Sequence, residues 1–145
     1  MIDEELNKKL SVMFNVCSDL LDINHYDIYW KQGTCWSGKA AGEVKLYQDY
    51  FMGKVKINPH KAQSERDMLE TVLHECVHIA LSGYDTFLSV VIEGEENKQS
   101  RKRLKRLYTH FDEQATVKMT RALFPLALEK YEEAIEDEEE ENTDE

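Results

Sequence analysis

The sequence predicts an α+β fold: an N-terminal helix, a small sheet of about three strands, a motif-bearing helix and further helices towards the C-terminus. Three observations carry that prediction. Apolar residues recur at helical spacing over 3–21, alternate as in strands over 26–30, 43–48 and 52–58, and return to helical spacing over 65–82. The last of these segments contains His74-Glu75-Cys76-Val77-His78.

In the first segment Leu6, Leu10, Met13, Cys17 and Leu20 stand three and four residues apart, which reads as the core stripe of an amphipathic helix. Tyr26, Ile28 and Trp30 then fall on one side of a strand, and Val44, Leu46, Val55 and Ile57 mark two more. Gly33, Gly38 and Gly42 read as loop residues, and Asn58-Pro59 ends the third strand because proline cannot donate to a ladder. Trp30, Trp36, Tyr47, Tyr50 and Phe51 are expected to pack in the core or on the sheet.

Ser64 and Asp67 resemble a capping box, and Gly83 is placed to stop the helix, so the motif helix is expected over 65–82. A less regular stretch follows, with Phe87, Leu88, Val90, Val91 and Ile92 expected to cover the motif. From about residue 97 the pattern is again helical, read as two helices broken or bent near 109–111. Pro125 is expected to kink the last helix or to sit in its first turn. Residues 136–145 hold eight acidic and no basic residues. The expected organisation is therefore one domain over 1–135 and an acidic disordered tail over 136–145.

Composition excludes several functions. The net charge is −11, but without that tail it falls to −3, so nucleic-acid affinity is not indicated. No apolar run approaches the ~20 residues a membrane helix needs. The acidic start, Met1-Ile2-Asp3-Glu4-Glu5, does not match a secretory signal. Cys17, Cys35 and Cys76 are odd in number and widely spaced, as in reduced thiols, and a cytoplasmic location is expected. The dense cationic run from Lys98 to Arg106 lacks interleaved aromatics and reads as a solvated helix face. The alternatives are a phosphate-binding surface and an acidic tail folded back onto the run as a salt-sensitive brake.

The motif is the chemical signal. Residues i and i+4 lie one above the other on a helix, so His74 and His78 can reach one Zn2+ ion, while Glu75 stands beside it as a base. The alternative, a core helix whose histidines bond to carbonyls, leaves two imidazoles and a carboxylate costly to bury. A catalytic zinc site needs a third protein ligand. Glu113, His110 and Asp112 are candidates, and Asp112 can instead accept a hydrogen bond from a ligand imidazole.

Together with Glu113 opening E-x-A-x-x-x-M-x-x-x-L, this motif resembles the gluzincin type of zinc metallopeptidase. It is most similar to minigluzincins and small phage- and prophage-encoded proteins of that type. Ile57-Asn58-Pro59 resembles the strand end that forms the lower rim of their substrate cleft. The resemblance spans about residues 52–124. It implies a zincin-like fold, a Zn2+ cofactor held by His74, His78 and Glu113, and Glu75 as general base. It also implies a peptide or protein substrate.

Other resemblances place the third ligand elsewhere: SprT-like proteins use a histidine, here His110, and peptide deformylases use an upstream cysteine, here Cys35. Tyr108, His110 and Tyr84 are the candidate oxyanion donors. The strand near 53–57 is expected to bind an extended peptide along its edge. The alternative function is a non-catalytic zinc-binding regulatory or interaction protein with a structural metal site. Oligomeric state is not legible in the sequence.

Overall fold

Local sequence rules account for most element ends in the computed structural model, which describes residues 3–143. The order is α1 (Glu4–Leu20), β1 (Asp27–Gln32), β2 (Gly42–Tyr47), β3 (Met52–Ile57), α2 (Glu65–Glu93) and α3 (Lys98–Thr143), with short 3-10 turns at Gln48–Tyr50 and Pro59–Lys61. This is an α+β chain with a three-stranded sheet, as expected. Asp3 caps α1 by accepting from the backbone N–H groups of Glu5 and Leu6. The stripe of α1 is core, with Leu10, Met13 and Cys17 fully buried.

The sheet has the order β1-β3-β2, with β3 parallel to β1 and antiparallel to β2. Its central strand buries Val55 and Ile57 against the helical layer and leaves Lys54 exposed, the alternation of a sheet covered on one face. Trp30 stacks on Phe14 of α1 with ring centroids 5.5 Å apart. On the sheet's outer face Trp36 packs under the ammonium groups of Lys45 and Lys56 and Tyr47 under that of Lys54, Phe51 sits edge-on against Tyr26, and Tyr50 differs from the expectation in being 74% exposed. No helix covers that outer face, so its aromatics meet lysines and solvent.

α2 packs against the sheet, α1 and α3. Ser64 Oγ accepts from Asp67 N at 3.1 Å, which is the expected N-cap. At the same end, Glu65 accepts from Lys9 of α1 at 2.7 Å and from the Tyr131 hydroxyl of α3 at 2.6 Å. One carboxylate in the first turn therefore joins three helices.

Gly83 does not end the motif helix, which continues to Glu93 and stops at Gly94. Segments Glu65–Tyr84 and Phe87–Glu93 meet at 55° instead. Ser82 Oγ donates to Ile79 O at 2.6 Å, and a serine-glycine pair with such a back-bond favours bending over termination. Beyond the bend Phe87, Val90 and Val91 are exposed, and only Ile92 of this group is buried. They do not cover the motif.

α3 is one helix of 46 residues, with no break at 109–111 and with Pro125 inside it. Tyr108-Thr109-His110-Phe111 contains no helix breaker, and Asn97 caps the start by accepting from Gln99 N and Ser100 N. The acidic run expected to be disordered continues this helix to Thr143, because glutamate is a strong helix former. Residues 144 and 145 lie outside the described residues. The helix carries the described part of the acidic run away from the cationic one, so that part does not fold back onto it. Among the described residues no single helix is long and apolar enough to cross a membrane.

Leu73, fully buried in α2, sets a stability prediction. Leu73→Ala should lower the unfolding free energy by about 2–5 kcal/mol, against about 1 kcal/mol for Ser64→Ala. Urea titration measures both, and equal losses would contradict the central placement of α2.

Candidate metal centre

Between Leu69 and Ile79 the apolar side of α2 is buried and the other side is polar. On it, His74, Glu75 and His78 meet Glu113, Asp112 and Thr116 of α3. The His74 and His78 rings lie with centroids 4.9 Å apart, nearly perpendicular. Glu113 bridges them, with Oε1 at 3.1 Å from His74 Nε2 and Oε2 at 3.3 Å from His78 Nε2.

The other side of the His78 ring fixes its tautomer. Thr116 Oγ1 donates to Asp112 O at 2.9 Å, so towards His78 Nδ1, 3.4 Å away, it acts as acceptor. The Asp112 carboxylate lies 3.6 Å from the same nitrogen. Both partners place the proton on Nδ1 and leave the Nε2 lone pair facing Glu113. Burial, followed by the neighbouring His78, holds the His74 pKa below its ordinary value, which favours the neutral imidazole that a metal ligand requires.

A fit test for zinc follows from these separations. Three donor atoms, one each from His74, His78 and Glu113, lie within 4.8 Å of one another. Tetrahedral zinc with ligand bonds of ~2.0–2.2 Å places its ligand atoms about 3.3 Å apart. Each histidine Nε2 lies at about that spacing from its own Glu113 oxygen, and one donor atom from each residue lies within 4.8 Å of the others, so these three residues could hold the metal.

The remaining candidates stand apart. Asp112 faces the Nδ1 side of the His78 ring and not the cluster. His110 is exposed and rests edge-on against Phe111. Cys35 is buried, with Sγ donating to Lys56 O at 3.5 Å, and burial raises its thiol pKa. Neither belongs to the group of three. Tyr84 is 71% exposed, and neither it nor Tyr108 lines the two clefts at the cluster.

Glu75 is 5% exposed and takes no ligand position. Its pKa is pushed up to about 8, chiefly by burial and then by the negative charges of Glu113 and Glu43. Gly42, at the start of β2, makes this burial possible. A Cβ there would meet Thr71 Cγ2 at 2.7 Å and Glu75 Oε1 at 2.8 Å, so only glycine lets the strand lie against the carboxylate.

The cluster joins two clefts. One, of about 540 Å³, is lined by Ala40, Ala41, Lys61, Thr71 and Arg121; the other, of about 320 Å³, by Glu43, Val44, Leu46 and His78. Gly42, His74, Glu75 and Glu113 line both. The neighbouring strand is β2, an edge strand with one side unpaired. This corrects the expectation that 53–57 offers an edge, since β3 is paired on both sides.

Gly42, Glu43 and Thr116 are the site residues that sequence reasoning missed. Ala40-Ala41-Gly42 was a signal for close approach, being a run of small residues opening a strand, and Thr116 lies four residues after Asp112 on the same helix face. Comparison with known proteins finds no matching family model, curated protein or solved structure.

The raised Glu75 pKa gives the metal-free protein a signed pH dependence. Between about pH 4.5 and about pH 8 the folded chain keeps a proton that the unfolded chain releases. Stability from this group is therefore complete below that window and declines as pH rises through it, by about 1.4 kcal/mol per pH unit at most. Urea titrations in chelator should reveal the slope, and Glu75→Gln should flatten it; a slope indifferent to the substitution would contradict the burial of Glu75.

Proposed function

We propose that this chain is a zinc-dependent metallopeptidase of zincin-like architecture, in which His74, His78 and Glu113 hold the metal and Glu75 is the general base. The observation that carries the reading is the convergence of two imidazole Nε2 atoms and one carboxylate from separate helices, with a buried carboxylate beside them. Zinc in this position would supply Lewis-acid polarisation of a carbonyl and would lower the pKa of water.

The chain's own groups supply the proton transfers. Glu75 sits where an attacking water and a scissile carbonyl would meet, close to the ligands but free of them. With positive charge held among His74, His78 and Glu113, its carboxylate gives up its proton more readily and regains the capacity to act as base. It takes the proton of the attacking water and delivers it to the leaving amine. Asp112 and Thr116 keep the His78 ring oriented through Nδ1.

The free edge of β2 supports a peptide as substrate. An extended chain laid along Gly42–Tyr47 forms backbone hydrogen bonds with the strand and passes the ligand cluster. The clefts on either side accommodate residues flanking the scissile bond. Backbone pairing reads little side-chain identity, so this mode favours broad specificity.

A structural zinc site is the competing reading. Three protein ligands leave a position open, which favours the catalytic one, whereas structural sites are closed by a fourth.

Metal content and hydrolysis test the proposal together. Wild type should bind about one zinc per chain, His74→Ala and Glu113→Gln should weaken binding at least tenfold, and Cys35→Ser should leave it unchanged. Glu75→Gln should retain zinc and lose about 10²–10⁴-fold of its turnover of a peptide library. Zinc bound without any hydrolysis would favour the structural site, and failure to take up zinc on reconstitution would end the proposal.

A further inference from the structure

The outer face of the sheet carries cations in an arrangement that strand pairing disfavours. Side chains alternate along each strand, so Trp30, Val44, Leu46, Val55 and Ile57 turn to the core while Lys31, Lys45, Lys54 and Lys56 turn outwards. In register, Lys54 stands directly opposite Lys45 of β2, and Lys56 directly opposite Lys31 of β1. Like charges so placed are destabilising. Acids do not relieve them, since among the described residues the ion pairs of lysine are those of Lys9. Glu43, opposite Lys56, accepts from Ser37 N at 2.9 Å instead, and Asp27 lies at the start of β1, opposite Met52. The chain's net charge of −11 hides this cationic face, because eight anions lie in 136–145 alone.

Aromatic rings stand among these cations. Lys45 Nζ and Lys56 Nζ lie 4.3 and 4.9 Å from the centroid of Trp36, and Lys54 Nζ lies 5.3 Å from that of Tyr47. Such contacts hold ammonium groups on the face and leave them without an anion. Tyr29, opposite Lys54 on β1, is 57% exposed, and its ring meets neither another ring nor a cation among the described residues.

We propose that this face binds single-stranded nucleic acid. Lys31, Lys45, Lys54 and Lys56 take the phosphates, Tyr29 offers its ring to an unpaired base, and Trp36 and Tyr47 set the lysines in place. A duplex keeps its base faces inside the stack and cannot use Tyr29. An acidic polypeptide would meet the lysines and leave that ring idle. A bilayer surface would call for apolar side chains to insert, and within the strands this face offers only Met52. The patch escapes a linear reading because its lysines alternate with core residues and come from three strands. Since α2 lies on the other face of the sheet, the inference stands apart from the metallopeptidase reading.

Fluorescence anisotropy of a labelled single strand of about 12 nucleotides, titrated with the full chain, tests this. Binding should be measurable at an ionic strength of about 0.05 M. Four phosphate contacts on a single strand give a slope of about −2.8 for log affinity against log salt, so about 0.2 M salt should weaken binding about fiftyfold. Lys45→Gln with Lys54→Gln should halve that slope, and adding Lys31→Gln and Lys56→Gln should abolish it and lower affinity at least tenfold at low salt. Tyr29→Ala should cost about fivefold or more and leave the slope unchanged. Lys102→Gln, Arg103→Gln, Lys105→Gln and Arg106→Gln together, in α3, should change neither quantity, with circular dichroism reporting the fold of each variant. No binding at low salt, binding that survives loss of the sheet lysines or follows the α3 run, or a duplex held as tightly as the single strand would overturn the proposal. So would tighter binding to polyglutamate or to anionic phospholipid vesicles, which would give the face to an acidic protein or to a membrane.

Discussion

Burial of α2 is the constraint on which the rest of the structure depends. Leu69, Val72, Leu73, Cys76, Val77 and Ile79 are completely removed from solvent, and at 100° per residue they cover an arc of about 160° of the helix. The remaining arc holds His74, Glu75 and His78, polar groups that cannot be left without partners in such a setting. The α2–α3 packing satisfies them by presenting Glu113, Asp112 and Thr116. The same helix thus organises the core and orients the site, and precision in one is precision in the other.

The site electrostatics follow from that arrangement. Glu43, Glu75, Glu113 and Asp112 crowd around two imidazoles in a partly dehydrated space, and the most buried carboxylate retains its proton near neutrality. A buried carboxylate next to other acids is unfavourable unless a proton or a cation offsets it, and here the proton on Glu75 does so. Gly42 adds to that burial, since its missing side chain lets the strand press against Glu75 and exclude water.

α3 unites two roles that its sequence separates. Its middle is bound to α2 and lends Glu113 to the cluster, while its ends carry opposite charge far from that contact. Local helix preference is strong enough to extend it through an acidic run and past Pro125. Propensity acts residue by residue, whereas the cost of setting cations at the start of a helix and anions at its end is spread along the whole element.

The sequence by itself determined the α+β class, the three strands, the stripe of α1, the cap at Ser64 and the place of His74, Glu75 and His78 on one helix. These features rest on local rules, namely periodicity, capping and the i,i+4 geometry of a helix. It misjudged Gly83, residues 109–111 and the acidic run, because glycine and charge are signals whose weight depends on neighbouring packing. The resemblance already favoured Glu113; only the tertiary structure set it, and not His110 or Cys35, against His74 and His78, turned Asp112 towards His78 Nδ1, brought Gly42 against Glu75 and made β2 the free edge. Each of these depends on which elements pack face to face across dozens of residues, and no local pattern encodes that distance.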